Sequence, residues 1–277
     1  WSSDVCSSDL DALCFTSGGL PMFAKEGQRS GRLLGASRRM SYLIVFLIVG
    51  VLIFVHELGH YAAARAVGIP VKRVSLGVGR PLVSLRLRNT EYRLSMIPFG
   101  GYVLPVQDAY FAAPALDRML VALGGPLANI AVTCVIIAGL NAWENGASVA
   151  SLLWQPLART GQAIVLVSTA IPRLIFGVGD AVGPLGVIAQ GGTFVGFDVL
   201  RALQFAGVLS VNLAVLNLLP LPPLDGGRVI LCAAEALWAR AARLNVPLNV
   251  AGFLALLAFL CWVTVSDVRR MLAPLFL

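Results

Sequence analysis

An uncharged, almost wholly apolar run from Ser41 to Val55 leads without a break into His56-Glu57-Leu58-Gly59-His60 and on to about Gly68. With its helical continuation it is long enough to cross a bilayer, which takes ~20 residues, and further apolar segments follow at about Leu116–Leu140, Ala202–Leu219 and Leu248–Val265. Hydrophobic residues make up 58% of the 277 and charged residues only 13%, where soluble proteins carry roughly 25% charged. Mean hydropathy is +0.83. That much apolar surface overfills any core that water could surround, so it must face lipid. The formal net charge of +7 then reads as loop charge beside a membrane rather than as a nucleic-acid footprint. The lipid bilayer is an expected partner and nucleic acid is not.

The chain divides by pattern. Residues 1–39 are rich in Ser, Gly and Arg and read as a disordered or non-native tail, with Met40 as the suspected start. The first transmembrane helix is expected over 40–68. Between 69 and 115 the periodicity changes to two: Val83, Leu85 and Leu87 alternate with Ser84, Arg86 and Arg88, and Tyr92, Leu94 and Met96 with Glu91, Arg93 and Ser95. This is a β-hairpin with Asn89-Thr90 between its arms. A second transmembrane helix is expected over 116–141, and an extracytoplasmic, amphipathic segment over 142–201, where Pro156, Pro172, Pro184 and many glycines interrupt the pattern and a further span stays open. A third transmembrane helix over 202–231 breaks at LPLPPLDGG, a cytoplasmic loop covers 232–247, and a fourth helix with its tail covers 248–277. The fold class is therefore an all-α polytopic membrane protein of about four transmembrane helices with a small membrane-associated β-hairpin or sheet.

Topology follows from charge. Arg65, Lys72, Arg73, Arg80, Arg86, Arg88, Arg93 and Arg118 oppose only Glu91, Asp108 and Asp117 around the hairpin, whereas 141–200 offers only Arg159 and Arg173. The hairpin side is then cytoplasmic. Arg228, Arg240 and Arg243 agree with this, and the Arg269-Arg270 pair runs against it.

The chain has two histidines, and both lie in H-E-x-x-H. On a helix, positions four apart share a face, so His56 and His60 can bind one metal while Glu57 reaches a metal-bound water. The motif lies roughly 22 to 30 Å along the first helix at 1.5 Å per residue, towards its cytoplasmic end. Ionisable side chains within a span are costly and by default functional. A catalytic zinc site takes three protein ligands, and the best third candidate is Asp225, because the prolines before it forbid regular helix and unwound backbone at membrane depth lines a cavity or is buried in protein. Glu235 and Asp267 are weaker alternatives. Five cysteines with no C-x-x-C spacing offer no zinc ribbon.

Taken together, HELGH, GVGRP followed by the hairpin and PFGGYV, GGPLAN, VGPLGVIAQ and NLLPLPPLDGGR resemble, in this order, the site-2 protease family of intramembrane zinc metalloproteases, especially its bacterial RseP-like branch. The resemblance covers about 41–105, 119–130 and 183–231. It implies zinc on His56, His60 and Asp225, Glu57 as the catalytic base, and substrate contact by Asn217, Asn129, Gly100, Gly101 and Tyr102. For Asn129 an interhelical hydrogen bond is an equal alternative. It further implies cleavage of single-pass membrane proteins, such as an anti-sigma factor or remnant signal peptides, in the bacterial inner membrane, with the active site towards the cytoplasm. Members of the RseP-like branch carry PDZ domains between the second and third core spans, and residues 141–182 are too few for one. A metal transporter with the same ligands is the rival from another class, and it calls for several metal sites along a path.

Overall fold

The computed structural model describes residues 33–175 and 182–272. The first part of the expected tail, 1–32, lies outside them. Helix α1 (Leu33–Ala66) includes the seven residues before the expected first span, a stretch without proline in which Arg38 and Arg39 are good helix formers, so helix propagates back from the span. Its end is set by Gly68 at φ 77°, a conformation glycine adopts without strain, with the Ile69 amide bonded back to the Ala64 carbonyl at 2.8 Å. Pro70 prevents continuation.

Strands β1 (Val71–Leu87) and β2 (Thr90–Pro105) form one antiparallel two-stranded sheet. The alternation read from the sequence is present as Val83 opposite Leu94 and Leu85 opposite Tyr92. The turn is Arg88-Asn89 rather than Asn89-Thr90: Thr90 pairs with Leu87, and its hydroxyl donates to the Val71 carbonyl at 2.8 Å. A β-branched residue with a buried partner stays in the strand. The register is doubled, so that Val74 faces both Tyr92 and Val103 and Leu76 faces both Leu94 and Gly101. The first half of β1 is thus flanked by two stretches of β2, and the sheet folds back over the end of α1. Val71 and Val74 pack there against Ala64, Ile69 and Val121, and Tyr61 meets Tyr92 hydroxyl to hydroxyl at 2.7 Å.

After the short α2 (Gln107–Ala112), α3 (Ala115–Asn145) runs the length of the bundle. Its seam with α1 is a backbone contact: a Cβ built on Gly59 would lie 2.2 Å from the Gly124 carbonyl oxygen, and one on Gly124 would lie 2.5 Å from that of Gly59. Small residues permit this approach, which in a membrane replaces the hydrophobic effect as the source of helix association. A π turn at Ala150–Trp154 leads into α4 (Gln155–Ile175). Helix α4 lies lengthwise against the bundle, from Arg159 on Asn141 to Val167 and Ile171 on Val211 and Val215.

Helix α5 (Pro184–Val195) precedes α6 (Val199–Asn217), which Asp198 caps by accepting from the Leu200 amide at 2.8 Å. The chain then unwinds over 218–224, where the Pro222-Pro223 bond is cis, and α7 (Asp225–Leu237) begins. The break expected at LPLPPLDGG within 202–231 therefore separates two helices. The expected loop over 232–247 is also helical: α7 reaches Leu237, a 3-10 turn covers Ala239–Leu244, and α8 (Asn245–Leu272) starts at once. The reason is burial, since Cys232 is enclosed and Glu235 forms an ion pair with Arg118 of α3 with both side chains about nine-tenths buried. Among the described residues, four helical stretches are long and apolar enough to cross a membrane: Met40–Ala66, Ala115–Asn145, Val199–Asn217 and Arg240–Leu272. The protein is a polytopic, mainly helical membrane protein with a small sheet at one end.

Candidate metal centre

His56 and His60 lie on successive turns of α1, and Asp225 is the first residue of α7, 169 positions beyond His56. The prolines that break α6 turn the chain so that the N-terminus of α7 meets α1. His56 Nε2 stands 3.0 Å from Asp225 Oδ2, His60 Nε2 3.3 Å from the same oxygen, and the two nitrogens 3.2 Å from each other. All three residues are buried. A tetrahedral ion ~2.0–2.1 Å from each donor requires donor separations of ~3.3 Å, so this near-equilateral triangle is one face of such a tetrahedron. The donor set of two imidazoles and one carboxylate suits zinc. Among the described residues it is the only group of three or more such side chains that converges in this way.

The space for the imidazoles comes from α3. A Cβ on Gly125 would lie 2.4 Å from His60 Nε2 and 2.7 Å from His56 Nε2. His60 Nδ1 is 2.8 Å from the Val121 carbonyl oxygen. That oxygen only accepts, so Nδ1 carries the proton and Nε2 keeps the lone pair a metal needs. Asn129, completely buried, approaches His56 Nδ1 at 3.3 Å through its amide. Arg228 reaches the second Asp225 oxygen at 3.8 Å from a half-exposed position.

Beside the triangle is a cavity of about 190 Å³ lined by Ile53, His56, Glu57, Gly100, Gly101, Asn129, Leu213 and Asn217. Strand β2 passes over Glu57 so closely that a Cβ on Gly101 would sit 3.0 Å from Glu57 Cγ. Of the residues read from the sequence as substrate contacts, Asn217, Asn129, Gly100 and Gly101 share this cavity with Glu57. Tyr102 is not among its lining residues; side chains alternate along a strand, and Tyr102 sits opposite Ser75 near Arg73. The alternative third ligands are occupied elsewhere. Glu235 pairs with Arg118 and accepts from Asn245, and Asp267 accepts from the Gly183 and Gly186 amides at the start of α5.

Sequence reasoning missed Gly125 as an individual residue, Ile53 and Leu213 in the cavity wall, and the Arg118–Glu235 pair. GGPLAN marked the neighbourhood of Gly125, and a lone arginine and a lone glutamate in apolar surroundings were the available signal for the pair.

The profile of "Peptidase family M50" matches residues 44–261. Among curated relatives, the "Putative zinc metalloprotease" of Fusobacterium nucleatum is 21% identical over 337 positions, covering 84% of this chain and 99% of its own. One of the same description from Synechocystis is 26% identical over 316 positions, covering 72% and 86%, and one from Clostridium perfringens is 25% identical over 330, covering 83% and 98%. Each alignment is longer than the 277 residues of this chain, so these relatives contain segments with no counterpart here.

Proposed function

The chain belongs to peptidase family M50 and is a zinc metalloprotease; from that premise we propose that it cleaves peptide bonds within or next to the transmembrane segments of membrane proteins. The observation that carries this reading is the position of the donor triangle, on a helix long and apolar enough to cross a membrane and beside a cavity lined by Glu57.

His56, His60 and Asp225 would hold the zinc, which when bound would supply the Lewis acidity that activates a water molecule and polarises the scissile carbonyl. Glu57 accepts the proton of the attacking water and returns it to the leaving amine. A substrate segment in lipid is a hydrogen-bonded helix and must unwind before attack. The stretch Gly101–Pro105 pairs with β1 and passes over Glu57, a position from which it can take an extended peptide as an added strand. Asn217 on the cavity wall supplies a polar contact to that peptide. Single-pass proteins of the anti-sigma-factor kind or remnant signal peptides are the substrate class, in the bacterial inner membrane. The arginines around the sheet and after α6 favour a cytoplasmic position for the site. A transport role has no support comparable to this, since the described residues contain one donor cluster and no second.

The test is cleavage of a single-pass membrane substrate by detergent-purified protein, wild type against Glu57→Gln, with bound zinc measured in both. Zinc near one per chain in each, with cleavage by wild type alone, is the expected result. Equal cleavage by the two proteins, or a wild type that does not take up zinc, defeats the reading.

A further inference from the structure

We propose that Asn129 is a positioning residue for the metal centre: its side-chain oxygen accepts the Nδ1 proton of His56 and so fixes the tautomer and the ring plane that present Nε2 to the metal. This rests on the reading of His56, His60 and Asp225 as zinc ligands. Nε2 of His56 is the atom that faces Asp225 Oδ2 and His60 Nε2, so in a metal site it carries the lone pair and the ring's single proton is on Nδ1. A buried N–H needs an acceptor. The side chain within reach is Asn129, 3.3 Å away and without exposed surface. With the amide NH2 towards His56, two donors face each other and Asn129 Oδ1 is buried with no partner. With the amide reversed, an exchange of two nearly isosteric atoms, oxygen meets N–H and the opposition of two donors disappears, while the NH2 takes the buried position that Oδ1 held.

The arrangement repeats what α3 does for the other histidine. Val121, Gly125 and Asn129 are spaced by four and share one face of α3. The middle position leaves room for both rings, Val121 offers its carbonyl to His60 Nδ1 at 2.8 Å, and Asn129 offers its side chain to His56. Asn129 is itself tied down, because its backbone carbonyl accepts from Thr133 Oγ1 at 3.0 Å and from Ser210 Oγ of α6 at 2.9 Å. A chain of contacts therefore runs from α6 through Asn129 to His56. Partners of this kind are typically worth 10–100-fold in metal affinity or activity.

The experiment is a competition titration of zinc against a chromophoric chelator, with the full chain in detergent as wild type, Asn129→Leu, Asn129→Asp and His60→Ala. Leucine keeps the bulk and removes the acceptor; aspartate can only accept. The expected result is zinc affinity lowered about 10–100-fold in N129L and equal to or tighter than wild type in N129D. Wild-type affinity in N129L overturns the proposal, and so does equal weakening in both variants, which assigns the effect to packing alone. If N129L does not fold, N129D decides by itself, since a tenfold loss there contradicts an acceptor role. Wild type and H60A that bind zinc alike overturn the underlying ligand reading instead, which separates the two failures.

Discussion

Helices α3 and α8 are alike in composition and opposite in use. Each contains a stretch of mean hydropathy 2.2, yet 39% of that window is buried in α3 and only 6% in α8. Hydropathy thus identifies which segments prefer lipid and says nothing about which of them pack. The difference lies in small and polar residues. Gly59 and Gly124 bring α3 into backbone contact with α1, Gly125 leaves room for both imidazoles, and Asn129, Thr133 and Asn141 of α3 are buried with hydrogen-bond partners. Helix α8 instead shows Phe253, Leu254, Leu257, Phe259, Leu260 and Trp262 on its surface. It is fastened near its two ends, by Gly252 against the Pro222 backbone and by Asp267 on the first amides of α5.

The largest effect that would sharpen the contrast is expected at Gly125. Alanine there drives a methyl group into both imidazoles, and zinc affinity should fall about 100-fold in a chelator titration, while Gly139→Ala on the same helix, where a Cβ meets nothing within 4 Å, should leave it unchanged. A Gly125→Ala protein that binds zinc normally would break the claim that α3 is packed around the site. Next comes α8. Asp267→Asn weakens the attachment of α5 and should cost about 1–2 kcal/mol in detergent unfolding, whereas Leu257→Ala in the middle of the same helix should stay within ~0.5 kcal/mol.

The smallest effect belongs outside both helices, in the sheet. Arg93 and Arg73 hold the Glu91 carboxyl at about 2, well below its ordinary 4.5. A depressed folded-state value means that the stabilisation is complete above the unfolded value and is lost as pH falls towards 2. The protection of the amides of residues 90–94, taken relative to their intrinsic exchange rates, should therefore fall between about pH 4.5 and pH 2 in wild type and show no such dependence in Glu91→Gln.

The residues of the centre were legible because their signal is local. H-E-x-x-H is a spacing on one helix, and Asp225 stood out through the prolines that precede it, although nothing in the sequence measures the distance between them. The alternation of Leu and Arg gave the hairpin, but the doubled register did not show, since one strand facing two others is a property of folding back and not of period. The extent of α7 and the pairing of Arg118 with Glu235 were invisible for the same reason: a buried charge announces that a partner exists and not which residue it is. Tyr102 was grouped with Gly100 and Gly101 by its place in the chain, and the strand's alternation, which sets it outside the cavity lining, is not visible in that grouping.

One consequence of the 169-residue separation between His56 and Asp225 concerns how the molecule holds together. A metal ion held by both closes a chain loop that contains the sheet and helices α2 to α6, much as a covalent cross-link would. Whatever binds the folded arrangement and not the open chain adds its binding energy to stability, about 4 kcal/mol when free metal exceeds its dissociation constant a thousandfold. A chelator therefore acts on this protein twice. It stops the chemistry, and it loosens the join between the first and seventh helices, an effect that a melting curve registers even for a variant with no activity left to lose.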